Sequence, residues 1–134
     1  MRLKGIIILL AFGFCGEVFG QNFSKISVSA FEPLSKANAE WVDFDNDGLL
    51  DLFVTGTNGA GTHKVVIYYN NGDDTFDALT LANWTNVGYD FGDYNQDGFI
   101  DIILLGNDAA NTLHFSVLEN TSGSSFSEKS LGLE

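Results

Sequence analysis

Two nine-residue acidic segments set 50 residues apart, an ungapped repeat that contains them, and four short apolar runs per copy predict an all-β chain. The expected architecture is four-stranded antiparallel blades of a β-propeller, about two of them here, because four strands per unit of this length is how a propeller blade is built. Sliding residues 40–84 onto 90–134 superposes the acidic segments and also matches Gly56 with Gly106, Thr62 with Thr112, Asn70 with Asn120 and Phe76 with Phe126.

The first strand of each unit precedes the acidic segment, around Ala39–Val42 and Val87–Gly92. A second follows it, over Leu50–Thr55 and Ile100–Leu105. The apolar runs Leu52-Phe-Val-Thr and Ile102-Ile-Leu-Leu read as strands buried on both faces, each ending in a turn glycine, Gly56 or Gly106, although so short a run alone also fits a buried helix. The third strand is expected over His63–Tyr69 and Thr112–Leu118, and a short fourth near Thr75–Leu79 and Ser125–Lys129. Asn70-Asn71-Gly72 and Thr121-Ser122-Gly123 supply the turns between third and fourth strands.

The acidic segments, Asp43-Phe-Asp-Asn-Asp-Gly-Leu-Leu-Asp51 and Asp93-Tyr-Asn-Gln-Asp-Gly-Phe-Ile-Asp101, share the pattern D-x-[DN]-x-D-G-x-x-D. The first gathers four carboxylates in nine residues with no Lys or Arg among them, so folding brings like charges together unless a cation neutralises them. Ca2+ takes six to eight oxygens, and a chain supplies them from carboxylates or amides at positions 1, 3 and 5, a backbone carbonyl at 7 and a carboxylate beyond a tight turn. Asp43, Asp45, Asp47, the Leu49 carbonyl and Asp51 fill these roles in one loop; Asp93, Asn95, Asp97, the Phe99 carbonyl and Asp101 fill them in the other. Gly48 and Gly98 occupy the sixth position, where the backbone reverses. With no Cys or His in either set, zinc and copper fit poorly, and magnesium prefers fewer protein ligands. Asn95 leaves the second loop one charge short, so weaker binding is expected there.

An EF-hand needs Glu at position 12 and flanking helices, but that position is Val54 in one loop and Leu104 in the other. A dockerin-type loop fails on the same residues. The order of strand, D-x-[DN]-x-D-G-x-x-D loop, apolar strand and Gly resembles the FG-GAP and VCBS repeats found in integrin α-chain propellers and in secreted bacterial proteins. The resemblance covers residues 39–130, with the Phe-Gly of the family name surviving only as Phe91-Gly92. It implies that each loop joins neighbouring strands of a blade and binds Ca2+ through the residues named above. It divides the chain into a first repeat over 39–84 and a second over 85–134.

Residues 1–20 read as a secretory signal peptide: Arg2 and Lys4 precede an apolar stretch from Gly5 to Phe14, with a cut expected before Gln21. That stretch is shorter than the ~20 residues of a membrane span, so no transmembrane segment is expected after cleavage. An uncleaved anchor and a lipoprotein attached at Cys15 are the competing readings. Cleavage removes the only Cys, leaving core and metal to stabilise an extracellular chain. A formal charge of -12 disfavours nucleic acid and anionic membrane as partners. Residues 21–38 form an N-terminal strand segment in which Phe23–Phe31 alternates apolar and polar; it either caps the first blade or adds an outer strand to the last. The second repeat stops at Glu134, which aligns with Trp84, so the chain is expected to continue into further repeats of the same array or to complete itself with another protomer.

These features predict a secreted or cell-surface calcium-binding propeller segment acting as a binding or adhesion scaffold for a protein or carbohydrate ligand. Its loops Thr57–Thr62, Asn83–Asn86 and Asn107–Asn111 would form the binding face, where Trp84, Tyr89 and Tyr94 either stack on ligand or pack the blades. The alternative is an accessory domain of a secreted polysaccharide- or phosphodiester-degrading enzyme. The chain itself is not expected to be an enzyme: His63 and His114 are out of phase, and there is no Gly-x-Ser-x-Gly or Gly-rich phosphate loop.

Overall fold

The computed structural model describes residues 28–132. The signal-peptide reading for residues 1–20 and the strand reading for residues 23–27 lie outside them.

Eight strands form two four-stranded antiparallel sheets, and among the described residues there is no helix. The first blade is β1 (Leu34–Val42), β2 (Asp51–Asn58), β3 (His63–Asn70) and β4 (Phe76–Ala82); the second is β5 (Thr85–Gly92), β6 (Asp101–Asn107), β7 (Leu113–Asn120) and β8 (Phe126–Ser130). Strands neighbour one another in chain order. The register repeats with the sequence: Leu52 pairs with Tyr68 and Phe53 with Ile67, and 50 residues on Ile102 pairs with Leu118 and Ile103 with Val117.

Gly56 and Gly106 are not turn residues, as the sequence suggested, but lie inside β2 and β6. The strand before each carries a bulge, between Ser35 and Asn38 in β1 and between Thr85 and Gly88 in β5. Lys36 (φ 51°) and Asn86 (φ 53°) take left-handed conformations there. Each bulge leans over its partner strand: a Cβ on Gly56 would lie 3.0 Å from the Leu34 Cβ, and one on Gly106 would lie 3.1 Å from the Trp84 Cβ. Close backbone approach therefore demands glycine at this repeated position.

The principal core lies between the blades, where Phe44, Phe53, Val65 and Ile67 pack with Ile102, Leu104 and Leu118. Phe53 sits edge-on to Phe91 at 5.1 Å and tilted against Tyr89 at 4.7 Å. The opposite face of the first sheet buries Val54, Val66 and Tyr68. Phe31 covers that face, its ring 4.7 Å from Tyr68 and 4.9 Å from Phe76. Val28–Phe31 is thus a turn, closed by the Phe31 N–H on the Val28 carbonyl, rather than the expected strand, because Phe31 is drawn onto the apolar face of the first blade.

The expectation of two buried faces holds for β2 and fails for β6. Phe53 and Thr55, which look from the first blade to the second, are 0 % and 5 % exposed, whereas their counterparts Ile103 and Leu105 are 43 % and 38 % exposed. Burial here is a property of the neighbouring blade, and among the described residues no sheet lies over Ile103 and Leu105.

Candidate metal centres

Each acidic segment spans the connection between the first and second strand of its blade; eight of the ten expected positions lie in these connections, and Asp51 and Asp101 open β2 and β6. The loops fold on their own side chains. In the first, Asp43 Oδ2 accepts the Gly48 N–H at 3.1 Å, Asp45 Oδ1 the Asp47 N–H at 3.2 Å and Asp47 Oδ1 the Leu49 N–H at 2.7 Å. In the second, Asp93 Oδ2 accepts the Gly98 N–H at 3.0 Å, Asn95 Oδ1 the Asp97 N–H at 3.0 Å and Asp97 Oδ1 the Phe99 N–H at 2.9 Å. Left-handed residues make the turn, Asn46 (φ 60°) with Gly48 (φ 86°) and Gln96 (φ 62°) with Gly98 (φ 92°).

The last carboxylate of each loop is a buried staple. Asp51 accepts the Phe44 N–H at 3.0 Å and the Asn70 N–H at 2.9 Å. Asp101 accepts the Tyr94 N–H at 2.9 Å and the Asn120 N–H at 2.7 Å. One side chain thereby ties the loop to the third strand, which accounts for a carboxylate at the ninth position whether or not it also meets a cation.

Beyond these shared bonds the loops diverge. Carboxylate oxygens of Asp43, Asp45 and Asp51 converge to within 4.8 Å of one another, the one such group of Asp, Glu, His or Cys among the described residues. Asp47 stands outside that group. Asp43 Oδ1 is buried with no hydrogen-bond partner, and so is the hydroxyl of Tyr69 on β3. Burial, partly offset by the Asp47 N–H, raises the Asp45 carboxyl above its ordinary value, with the Asp47 and Asp43 charges adding to the rise. Burial likewise raises Asp51 against the two N–H groups it accepts. Burial, then the charges of Asp51 and Asp45, push the Tyr69 hydroxyl up. A buried carboxylate oxygen without a donor, amid carboxyls resisting ionisation, is a set of oxygens that could hold a hard cation such as Ca2+.

In the second loop the matching oxygens are engaged by protein. Both Asp93 oxygens accept backbone N–H groups. At the third position Asn95 turns its Nδ2, a donor, to Asp97 Oδ2 at 2.8 Å and to Glu119 Oε1 at 2.8 Å. Glu119 is also paired with Lys129, which, ahead of Asn95, lowers its carboxyl below the ordinary range. Tyr69 and Glu119 went unnoticed in the sequence because aligned positions that differ carry no repeat signal.

The second blade clamps the first loop. Asn120 Nδ2 donates to the Phe44 carbonyl at 2.8 Å, and Asn46 Nδ2 donates to the Gly98 carbonyl of the second loop at 2.8 Å. Gly123 lies so close that an added Cβ would be 2.7 Å from the Asp45 Cα. The Asn70–Asn120 identity was the one sequence signal for this contact.

The aromatic residues proposed for ligand stacking divide between roles. Tyr89 packs in the core, and Trp84 stacks on His114 at 4.8 Å and 14°. Trp84 also lines a cleft of about 300 Å³ with Lys36, Thr57, His63 and Asn86, at the end of the blades opposite the acidic loops. Tyr94 is 59 % exposed. His63 bonds Thr57 at 2.9 Å and His114 bonds Asp108 at 3.0 Å, so the two histidines have separate partners.

Residues 43–104 match the model of a family described as FG-GAP-like repeat, from the first position of the first loop into the strand after the second. No curated protein and no solved structure matches the chain.

Proposed function

We propose, from the match of residues 43–104 to the FG-GAP-like repeat model, that the chain is a secreted, calcium-stabilised β-propeller-type scaffold for binding or adhesion. The observation that carries the calcium reading is the convergence of Asp43, Asp45 and Asp51 around a buried, unpartnered Asp43 oxygen. Asp43, Asp45, Asp51 and the Leu49 carbonyl, with Asp47, would hold the ion. Bound calcium supplies the positive charge that offsets these clustered carboxylates. The protein's own part is positional: Asp51 ties the loop to β3, and Asn120 and Gly123 press it against the second blade. The metal's role is thus structural, fixing the connection between two strands.

Ligand recognition falls to other surfaces. The cleft lined by Lys36, Thr57, His63, Trp84 and Asn86 offers hydrogen-bonding groups beside an indole, a combination suited to a carbohydrate or a polar peptide segment. The signal-like residues 1–20 support secretion. No residue is assigned a catalytic role.

Melting curves in CaCl2 and in EDTA test the calcium reading. A bound ion raises the melting temperature by mass action; coincident curves would make the loops solvated acidic turns.

A further inference from the structure

Positions 69 and 119 occupy the same place on the third strand of each blade, 50 residues apart. In the second blade this place reaches the third position of the adjoining loop, where Glu119 Oε1 accepts a hydrogen bond from Asn95 Nδ2 at 2.8 Å. The first blade carries Tyr69 at that place and Asp45 in the loop. The Tyr69 hydroxyl is buried and without a hydrogen-bond partner, as is Asp43 Oδ1 of the same loop. Buried hydroxyls almost always have a partner, because one without it has given up its bonds to water and gained none. The Tyr69 hydroxyl is near enough to Asp51 and Asp45 for their charges to act on it, so two orphaned oxygens border one acidic cluster, and a cation with its water satisfies both.

We infer that the Tyr69 hydroxyl belongs to the oxygen shell of the cation held by the first loop and makes that loop the tighter of the two. The inference rests on the calcium reading above. Tyr69 is a neutral oxygen donor, so it completes the shell without adding to the mutual repulsion of the carboxylates. Glu119 cannot take the same part in the second loop as it stands, because Lys129 and Asn95 engage its carboxylate.

Calorimetric titration with CaCl2, together with melting curves in EDTA and in CaCl2, tests this on the whole chain and on Tyr69→Phe. The variant should bind calcium about fivefold more weakly in the tighter step, the effect of one lost oxygen contact. Its melting temperature in EDTA should stay level or rise, since the orphaned hydroxyl is gone, while that in CaCl2 falls. Where the wild type binds calcium, an affinity unchanged in Tyr69→Phe overturns the inference alone. Equal losses of melting temperature in EDTA and CaCl2 also overturn it, by showing a packing role. A wild type that takes up no calcium overturns the calcium reading and this inference with it.

Discussion

The two acidic loops share a pattern and a backbone turn, yet Phe44 in the first is fully buried while Tyr94, at the same place in the second, is 59 % exposed. The first loop is pressed between blades and holds three converging carboxylates with an orphaned oxygen. The second lies open, its third position turned into a donor and its neighbouring Glu119 engaged by Lys129. The motif specifies the turn; what lies across from it decides how much unmet charge and unmet hydrogen bonding the turn retains.

The largest expected effect separates the loops by metal. Calcium at about 100 times its dissociation constant stabilises by ~2.7 kcal/mol, which for a domain of this size raises the melting temperature by about 10 °C. Asp43→Ala with Asp47→Ala should remove most of that response, and Asp93→Ala with Asp97→Ala only a minor part. Equal losses in differential scanning calorimetry would erase the distinction.

Next comes the paired asparagine. Asn120 is fully buried and bridges the Phe44 and Ile100 carbonyls and the Gly123 N–H, whereas Asn70 makes its equivalent bonds, to the Leu50 carbonyl and the Gly72 N–H, nearer solvent. Asn120→Ala should cost about 2–3 kcal/mol and Asn70→Ala about 1 kcal/mol, read from urea midpoints. Similar costs would mean that the cross-blade bond to Phe44 contributes nothing.

The turn glycines give a smaller contrast. Gly72 (φ 76°) and Gly123 (φ 83°) are both left-handed, so Ala at either costs about 1 kcal/mol in backbone strain. A Cβ at Gly72 meets only the flexible end of Leu49 at 3.0 Å, while one at Gly123 meets the Asp45 Cα at 2.7 Å. Gly123→Ala should therefore add roughly another 1–2 kcal/mol of overpacking and weaken calcium binding at the first loop from the far blade. Unaltered calcium affinity in that variant would uncouple the clamp from the site.

The smallest effect is in pH dependence, where the loops have opposite signs. Asp45 and Asp51 sit above their ordinary 3.8, so in EDTA their contribution to stability is full below pH 3.8 and is lost as pH rises through the raised values. Glu119, lowered from 4.5 chiefly by Lys129, contributes above pH 4.5 and loses that contribution as pH falls through its folded value. In EDTA at pH 7, Asp45→Asn should raise the melting temperature by about 1–2 °C and Glu119→Gln should lower it slightly. Shifts of the same sign would dissolve the contrast.

Much of the fold was legible in the residues. All eight strands fall where alternation, apolar runs and turn chemistry put them, with ends extended by a few residues because hydrogen-bonded ladders run past the apolar stretches that reveal them. The role of Gly56 and Gly106 was not legible, since a glycine required by a bulge across the ladder looks the same as one required by a turn. Nor was the exposure of Ile103 and Leu105, whose apolar run matches that of Phe53 in composition but has no neighbouring sheet among the described residues.

By itself the sequence determined the 50-residue period, the two acidic turns and the strand order, because each arises from local patterns of charge, glycine and apolar spacing. Asn95 already marks the second loop as one charge short of the first; the tertiary structure decided how the surroundings of the two loops differ. Asn120 reaches Phe44 across 76 residues, Gly123 closes on Asp45, and Glu119 engages Asn95 at the third position of the second loop. Those contacts depend on which residues the packed blades bring together, and two closely similar local patterns acquire different chemistry from them.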